Sequence, residues 1–83
     1  MAIEKALLAS PGVDRVIHLR TMHLGPDELL LAAKIAVDAR DDGAEIAATI
    51  DDAEARVRTA VPSAKVIYLE PDIYHPDPRT PAA

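Results

Sequence analysis

The sequence has no cysteine, which excludes disulfide bonds, zinc sites built from thiolates and cysteine nucleophiles. Any metal ligand must therefore be a histidine or a carboxylate. Phe and Trp are also absent, and two tyrosines are the only aromatic residues among the 83. The core must consequently be built from Leu, Ile, Val and Ala, and in a chain this short it is thin enough to gain from a partner.

Long apolar runs and a positive net charge are missing as well. No stretch approaches the roughly 20 apolar residues that cross a bilayer, and the amino terminus lacks the layout of a signal peptide. The formal net charge of -5 argues against nucleic acid as a partner, because phosphates are bound by clustered Lys and Arg. We therefore expect a soluble chain that does not bind nucleic acid.

Motifs for catalysis are equally scarce. The sequence contains no Gly-rich phosphate loop and no nucleophile elbow. Both of its serines, Ser10 and Ser63, adjoin prolines in turn-like contexts. The sequence therefore predicts a protein that is not an enzyme.

What the sequence does contain is a change between two hydrophobic periodicities. Residues 2–10 carry apolar side chains at helical spacing, and residues 13–24 alternate with period two, as a strand does. The Gly25-Pro26-Asp27 turn leads into a second alternating segment, residues 28–38, which predicts a hairpin. The alternation divides the first strand into one face with Arg15, Ile17, Leu19, Thr21 and His23, and an opposite face with Val16, His18, Arg20 and Met22.

The second predicted strand is apolar on both faces. One face consists of Leu29, Leu31, Ala33, Ile35 and Val37. The opposite face also holds Leu30, Ala32 and Ala36, which makes it more apolar than a solvated face should be. This surplus predicts a surface that binds a partner.

A second helix and a third strand complete the pattern. Asp42 and Glu45 have the spacing of a helix cap. Apolar residues then recur at helical spacing up to Pro62, namely Ile46, Ile50, Ala53, Val57 and Val61. Residues 64–70 predict the last strand, and prolines predict an extended or disordered tail over residues 73–83. The order predicts an α+β fold, an open-faced α-β-β-α-β two-layer sandwich with two helices on one face of a three-stranded sheet.

Several short segments occur in an order that resembles a known family. The run VDRVIHLRTMHLGP precedes a strand closing in IAVD, an alanine-rich helix that ends at a proline, and the strand VIYLEPD. In this order and spacing the chain resembles, from Ile3 to Asp72, the cytoplasmic carboxy-terminal domain of cation diffusion facilitator transporters. The resemblance implies that residues 1–72 form a ferredoxin-like, metallochaperone-like domain, which agrees with the fold predicted from periodicity.

The resemblance also implies a function and partners. It implies the regulatory and dimerisation domain of a divalent metal cation efflux transporter, a metal/proton antiporter, that pairs as a homodimer on the cytoplasmic side of the membrane. Metal binding in the family draws two such domains together, so this domain would sense cytosolic metal. The transmembrane domain of the same transporter, which lies outside these 83 residues, is then a second partner. The alternative is a stand-alone ferredoxin-like module that binds a metal or another small ligand, because fold does not fix function.

Candidate metal ligands are few. His18, His23 and His75, with Asp72 or Asp77, offer nitrogen and oxygen atoms to zinc or manganese. The alternative is that His18 and His23 are surface residues on opposite faces of one strand, which cannot close a single site. The resemblance implies metal ligands at three positions, which in this sequence hold Ile17, Ala33 and Leu69. We therefore expect a divalent cation to bind weakly or not at all.

The candidate dimer interface lies on the second strand and its neighbour. It comprises Leu30, Ala32, Ala36 and Arg20. Arg20 would reach carboxylates across the dimer, and its alternative role is that of a solvated surface cation.

Overall fold

The computed structural model describes residues 2–75 and contains the predicted elements in the predicted order. The helices are α1 (Ala2–Leu8) and α2 (Gly43–Ala60), and the strands are β1 (Arg15–Gly25), β2 (Glu28–Ala36) and β3 (Ala64–Asp72). The predicted α+β class and open-faced architecture are confirmed. Residues 76–83, most of the predicted tail, lie outside the described residues.

The three strands form one sheet in the order β1-β2-β3. β1 and β2 pair antiparallel through the tight turn at Pro26 and Asp27. β2 and β3 pair parallel, which requires a long crossover, and α2 provides it. The central strand is therefore β2, and it bears the most buried residues of the three.

The start of α2 is fixed by reciprocal hydrogen bonds. The Glu45 backbone N–H donates to the Asp42 carboxylate at 2.8 Å, and the Asp42 backbone N–H donates to the Glu45 carboxylate at 2.9 Å. This is the predicted cap, and it satisfies donors that the first turn would otherwise leave free. No helix among residues 2–75 is long and apolar enough to span a membrane.

Both helices cover the same face of the sheet. The core between the layers consists of Ile3 and Leu7 of α1, Val13, Leu29, Leu31, Ala33 and Ile35 of the hairpin region, Ala53 and Val57 of α2, and Ala64. Ile46 and Ile50 are half-buried, and the most buried residues of α2 are Thr49, Ala53 and Val57. The predicted helical face is therefore rotated slightly toward Thr49.

An irregularity in β1 corrects the predicted division of its faces. Val16 pairs with Ile35 and His18 pairs with Lys34, so Ile17 is an extra residue in the ladder. Cross-strand partners share a face, which places Val16 on the helix-covered side with Leu19. The prediction that Val16 shares a face with His18 is wrong, because strict alternation does not continue through this bulge.

The opposite face carries no helix within residues 2–75, and we call it the open face. By strand register it consists of Arg15, His18, Arg20 and Met22 of β1, Leu30, Ala32, Lys34 and Ala36 of β2, and Val66, Tyr68, Glu70 and Asp72 of β3.

Candidate partner surface and cation-binding residues

The open face is apolar at one end and charged at the other. Met22, Leu30 and Val66 form one row across the three strands, and Ala32 and Tyr68 belong to the next row. Met22 is 60% exposed and Tyr68 is 64% exposed. Two large side chains that are this exposed on one sheet face, with half-buried Leu30 and Ala32 between their strands, are typical of a surface that binds a partner.

All four candidate interface residues lie on this face by strand register, but they differ in exposure. Leu30 and Ala32 are half-buried, and Arg20 is exposed beside them in the register. Ala36, by contrast, is only 1% exposed. Its cross-strand partner Arg15 places its guanidinium group over the Tyr74 ring, 3.8 Å from the ring centre. Ala36 is therefore almost fully covered within a single chain, and its part in the interface stays a prediction.

The three histidines do not meet. His18 is half-buried on the open face, whereas His23 pairs with Leu29 and is exposed on the other side of β1. His75 is exposed beyond the end of β3. Within residues 2–75, no group of three or more His, Asp or Glu side chains is placed to hold one metal ion. Asp77 lies outside the described residues.

Two of the positions that the resemblance matched with ligands of the family are on the covered side. Ala33 is 6% exposed and Leu69 packs against the core. The open-face neighbours of these two residues are Ala32 and Tyr68. Neither of those side chains is a strong metal ligand, so β1 and the end of β3 are the parts of the open face that offer ligands.

Lys34 connects β2 to the end of β3. Its Nζ lies 3.1 Å from Glu70 Oε2 and 3.6 Å from Asp72 Oδ2. The hydrogen bond to Glu70 and the negative charge of that carboxylate, with a smaller contribution from Asp72, raise the pKa of Lys34 above its usual value. One predicted metal ligand, Asp72, is therefore already paired with a cation of the same chain.

Sequence reasoning missed this ion pair for a physical reason. Lys34 and Glu70 are adjacent only because β2 and β3 pair parallel with Lys34 opposite Glu70. Strand periodicity predicts the face on which a residue lies, but it does not predict the register of strands that are separated by a helix. The remaining signal was the single lysine within the apolar run of β2 after Glu28, for which a neighbouring carboxylate is a favourable partner.

The other ion pairs lie away from the open face. On α2, Asp52 pairs with Arg56 and Glu54 pairs with Arg58, each one turn apart. After β2, the Arg40 side chain and backbone N–H both donate to Asp38, and these bonds hold the pKa of Asp38 well below its usual range. These pairs are exposed to solvent on α2 and in the loop that precedes it, so each contributes little to stability.

Comparisons with known proteins agree with this geometry. The sequence profile of the cytoplasmic domain of cation efflux proteins matches residues 1–72. Comparison with curated proteins gives no match. Among solved structures, a variant MamM CTD in a nickel form superposes with a TM-score of 0.83 at 22% identity, covering 89% of this chain and 92% of that one.

Two further variants of the same domain give the same result. A MamM CTD with two substitutions superposes with a TM-score of 0.83 at 24% identity, covering 90% of this chain and 89% of that one. A variant in a cadmium form superposes with a TM-score of 0.83 at 22% identity, covering 89% of this chain and 91% of that one. At this level of identity the likeness establishes the fold.

Proposed function

The chain belongs to the family of cytoplasmic domains of cation efflux proteins, and on that premise we propose that it pairs with a second copy through the open face. The domain belongs to a membrane transporter, so pairing would hold the membrane parts of two transporter chains at a fixed position relative to each other. The observation that carries the proposal is the uncovered apolar end of the sheet, with Met22 and Tyr68 exposed.

The arrangement of side chains supports a second copy as the occupant. The exposed apolar residues cluster at one end of the open face, and Lys34, Glu70 and Asp72 lie at the other. Arg20 lies between them. A twofold pairing would place apolar surface against apolar surface and bring Arg20 near carboxylates of the second copy.

We further propose that the domain couples cytosolic divalent cations to transport. A second copy repeats His18, Asp72 and His75 across the seam, which supplies ligands that one chain does not bring together within its described residues. The solved MamM domains in nickel and cadmium forms support metal as the kind of ligand to test. Zinc and manganese are the cations that we propose for this chain, bound weakly.

Light scattering across a concentration series tests the pairing. We expect a homodimer at high micromolar concentration, and we expect Ala32→Glu to shift the population to monomer because it buries a charge in the seam. The matched control is Ala47→Glu on the exposed surface of α2, which should leave the dimer intact. A wild-type monomer at high concentration, or equal effects of the two substitutions, would contradict the proposal.

A further inference from the structure

We infer that Lys34 acts as a built-in cation of the open face. Its ammonium group lies between two carboxylates, in the place that a divalent metal ion would otherwise occupy. The inference deepens the proposed function because it concerns the same face. The contacts of Lys34 that support the inference lie within one chain. Only the expected effect of Lys34 on pairing depends on the proposed dimer.

Lys34 lies at the centre of the charged end of the open face. It lies on the central strand, with His18 opposite it on β1 and Glu70 opposite it on β3. The ammonium nitrogen reaches both Glu70, at 3.1 Å, and Asp72, at 3.6 Å. Lys34 is the best enclosed of the three charged groups, because its side chain is 33% exposed against 66% for Glu70 and 48% for Asp72.

The groups around Lys34 are of the kinds that bind divalent metal ions. Carboxylates and an imidazole are chemically suited to zinc, and carboxylates also suit manganese, but His18, Glu70 and Asp72 are not placed to hold one metal ion in the described part of the chain. Here the carboxylates converge on an ammonium group instead. A metal ion that approached Glu70 and Asp72 would meet the positive charge of the Lys34 ammonium group at close range.

This arrangement changes how the open face responds to metal. The two negative charges at the end of β3 are partly neutralised without any bound ion. Two copies that pair through this face would therefore not require a divalent cation to relieve carboxylate repulsion. Lys34 thus allows the two copies to pair without metal and lowers the affinity of the face for metal, in agreement with the weak metal binding proposed above.

Calorimetric titration with zinc chloride and with manganese chloride tests the inference. Lys34→Met removes the charge and retains much of the side chain, and we expect it to bind zinc at least tenfold more tightly than the wild-type chain does. Lys34→Arg keeps the charge and should retain the wild-type affinity. The matched control is Lys65→Met, at an exposed position of β3, which should also retain it.

Combined substitutions identify the ligands. Adding His18→Ala or Asp72→Asn to Lys34→Met should abolish the gain in zinc affinity. If Lys34→Met does not fold, as judged by circular dichroism, Lys34→Gln provides the neutral variant. Unchanged affinity in the folded neutral variant, or an equal gain in Lys65→Met, would overturn the inference.

Light scattering separates this inference from the proposed function. With a metal chelator present, the Lys34→Met dimer should be weaker than the wild-type dimer, and added zinc should restore it. A wild-type dimer that requires zinc would overturn the inference and leave the proposed pairing standing. A wild-type monomer together with a gain of zinc affinity in Lys34→Met would contradict the pairing and support the role of Lys34.

Discussion

Gly12 joins α1 to β1 in a conformation that depends on the absence of a side chain. Its φ is 89°, and it is the one described residue with positive φ. A Cβ at this position would lie 2.5 Å from the Thr49 hydroxyl oxygen. That hydroxyl donates to the Glu45 carbonyl oxygen at 3.0 Å, so the turn packs directly on the first turns of α2. A single glycine thus sets the distance between the amino-terminal turn and α2.

Gly12→Ala should lower the free energy of unfolding by about 1–3 kcal/mol, because the new methyl group meets both an unfavourable φ and the Thr49 side chain. Gly43→Ala is the matched control. A Cβ at Gly43 meets nothing within 4 Å, and helix propensity predicts a gain of up to about 1 kcal/mol. Urea unfolding measures both variants, and similar losses in the two would show that the turn is not constrained.

The packing of α2 on the sheet depends on which of its side chains are buried. Val57 is 0% exposed and belongs to the core cluster, whereas Ile50 is only half-buried. The buried Thr49 explains the difference, because it turns the helix so that the Gly12 turn lies over its first half. The largest apolar residue of the predicted face is therefore not the most important one.

Val57→Ala should lower the free energy of unfolding by about 2–3 kcal/mol, through lost burial and a residual cavity. Ile50→Ala should cost less, about 1–2 kcal/mol, since part of its side chain already contacts water. Asp51→Ala, at an exposed position of the same helix, should change stability by no more than about 0.5 kcal/mol. Denaturant unfolding that gave Ile50→Ala the larger loss would contradict this order.

The order and type of the elements were predictable because each depends on local chemistry. Ile3 and Leu7 show the helical repeat, Asp42 and Glu45 form a local cap, and the Gly-Pro-Asp turn closes a hairpin. The bulge at Ile17 and the pairing of Lys34 with Glu70 depend on tertiary register, which leaves no periodic trace in the sequence. The elements and the core face of β2 were therefore predictable, whereas the exact face of α2 and the contacts of the candidate site were predictable only in part.

The molecule as a whole is a thin slab. Its shortest extent is 18 Å, which corresponds to one layer of helices and one sheet, and its other extents are 38 and 31 Å. Only one of the two sheet faces is buried against helices within residues 2–75. A slab of this kind gains stability from whatever covers its other face, so folding and pairing should be linked.

The thermal midpoint should consequently rise with protein concentration. For a dimer of this size that unfolds as it dissociates, we expect a rise of about 4 °C for each tenfold increase in concentration. Ala32→Glu should remove this dependence, whereas Ala47→Glu should retain it. Differential scanning calorimetry at several concentrations provides the measurement, and a midpoint that stays constant for the wild-type chain would argue against linked folding and pairing.

The bulge in β1 also affects how the strand tolerates evolutionary change. In a regular strand an inserted or deleted residue moves every side chain beyond it to the opposite face. At this point Ile17 and His18 together oppose the single residue Lys34, so the strand already accommodates one residue more than its partner. Loss of one residue here would restore regular pairing and leave both flanking segments on their present faces. Relatives that differ by one residue at this position can therefore keep the same surface, and an alignment gap in β1 is best placed at the bulge.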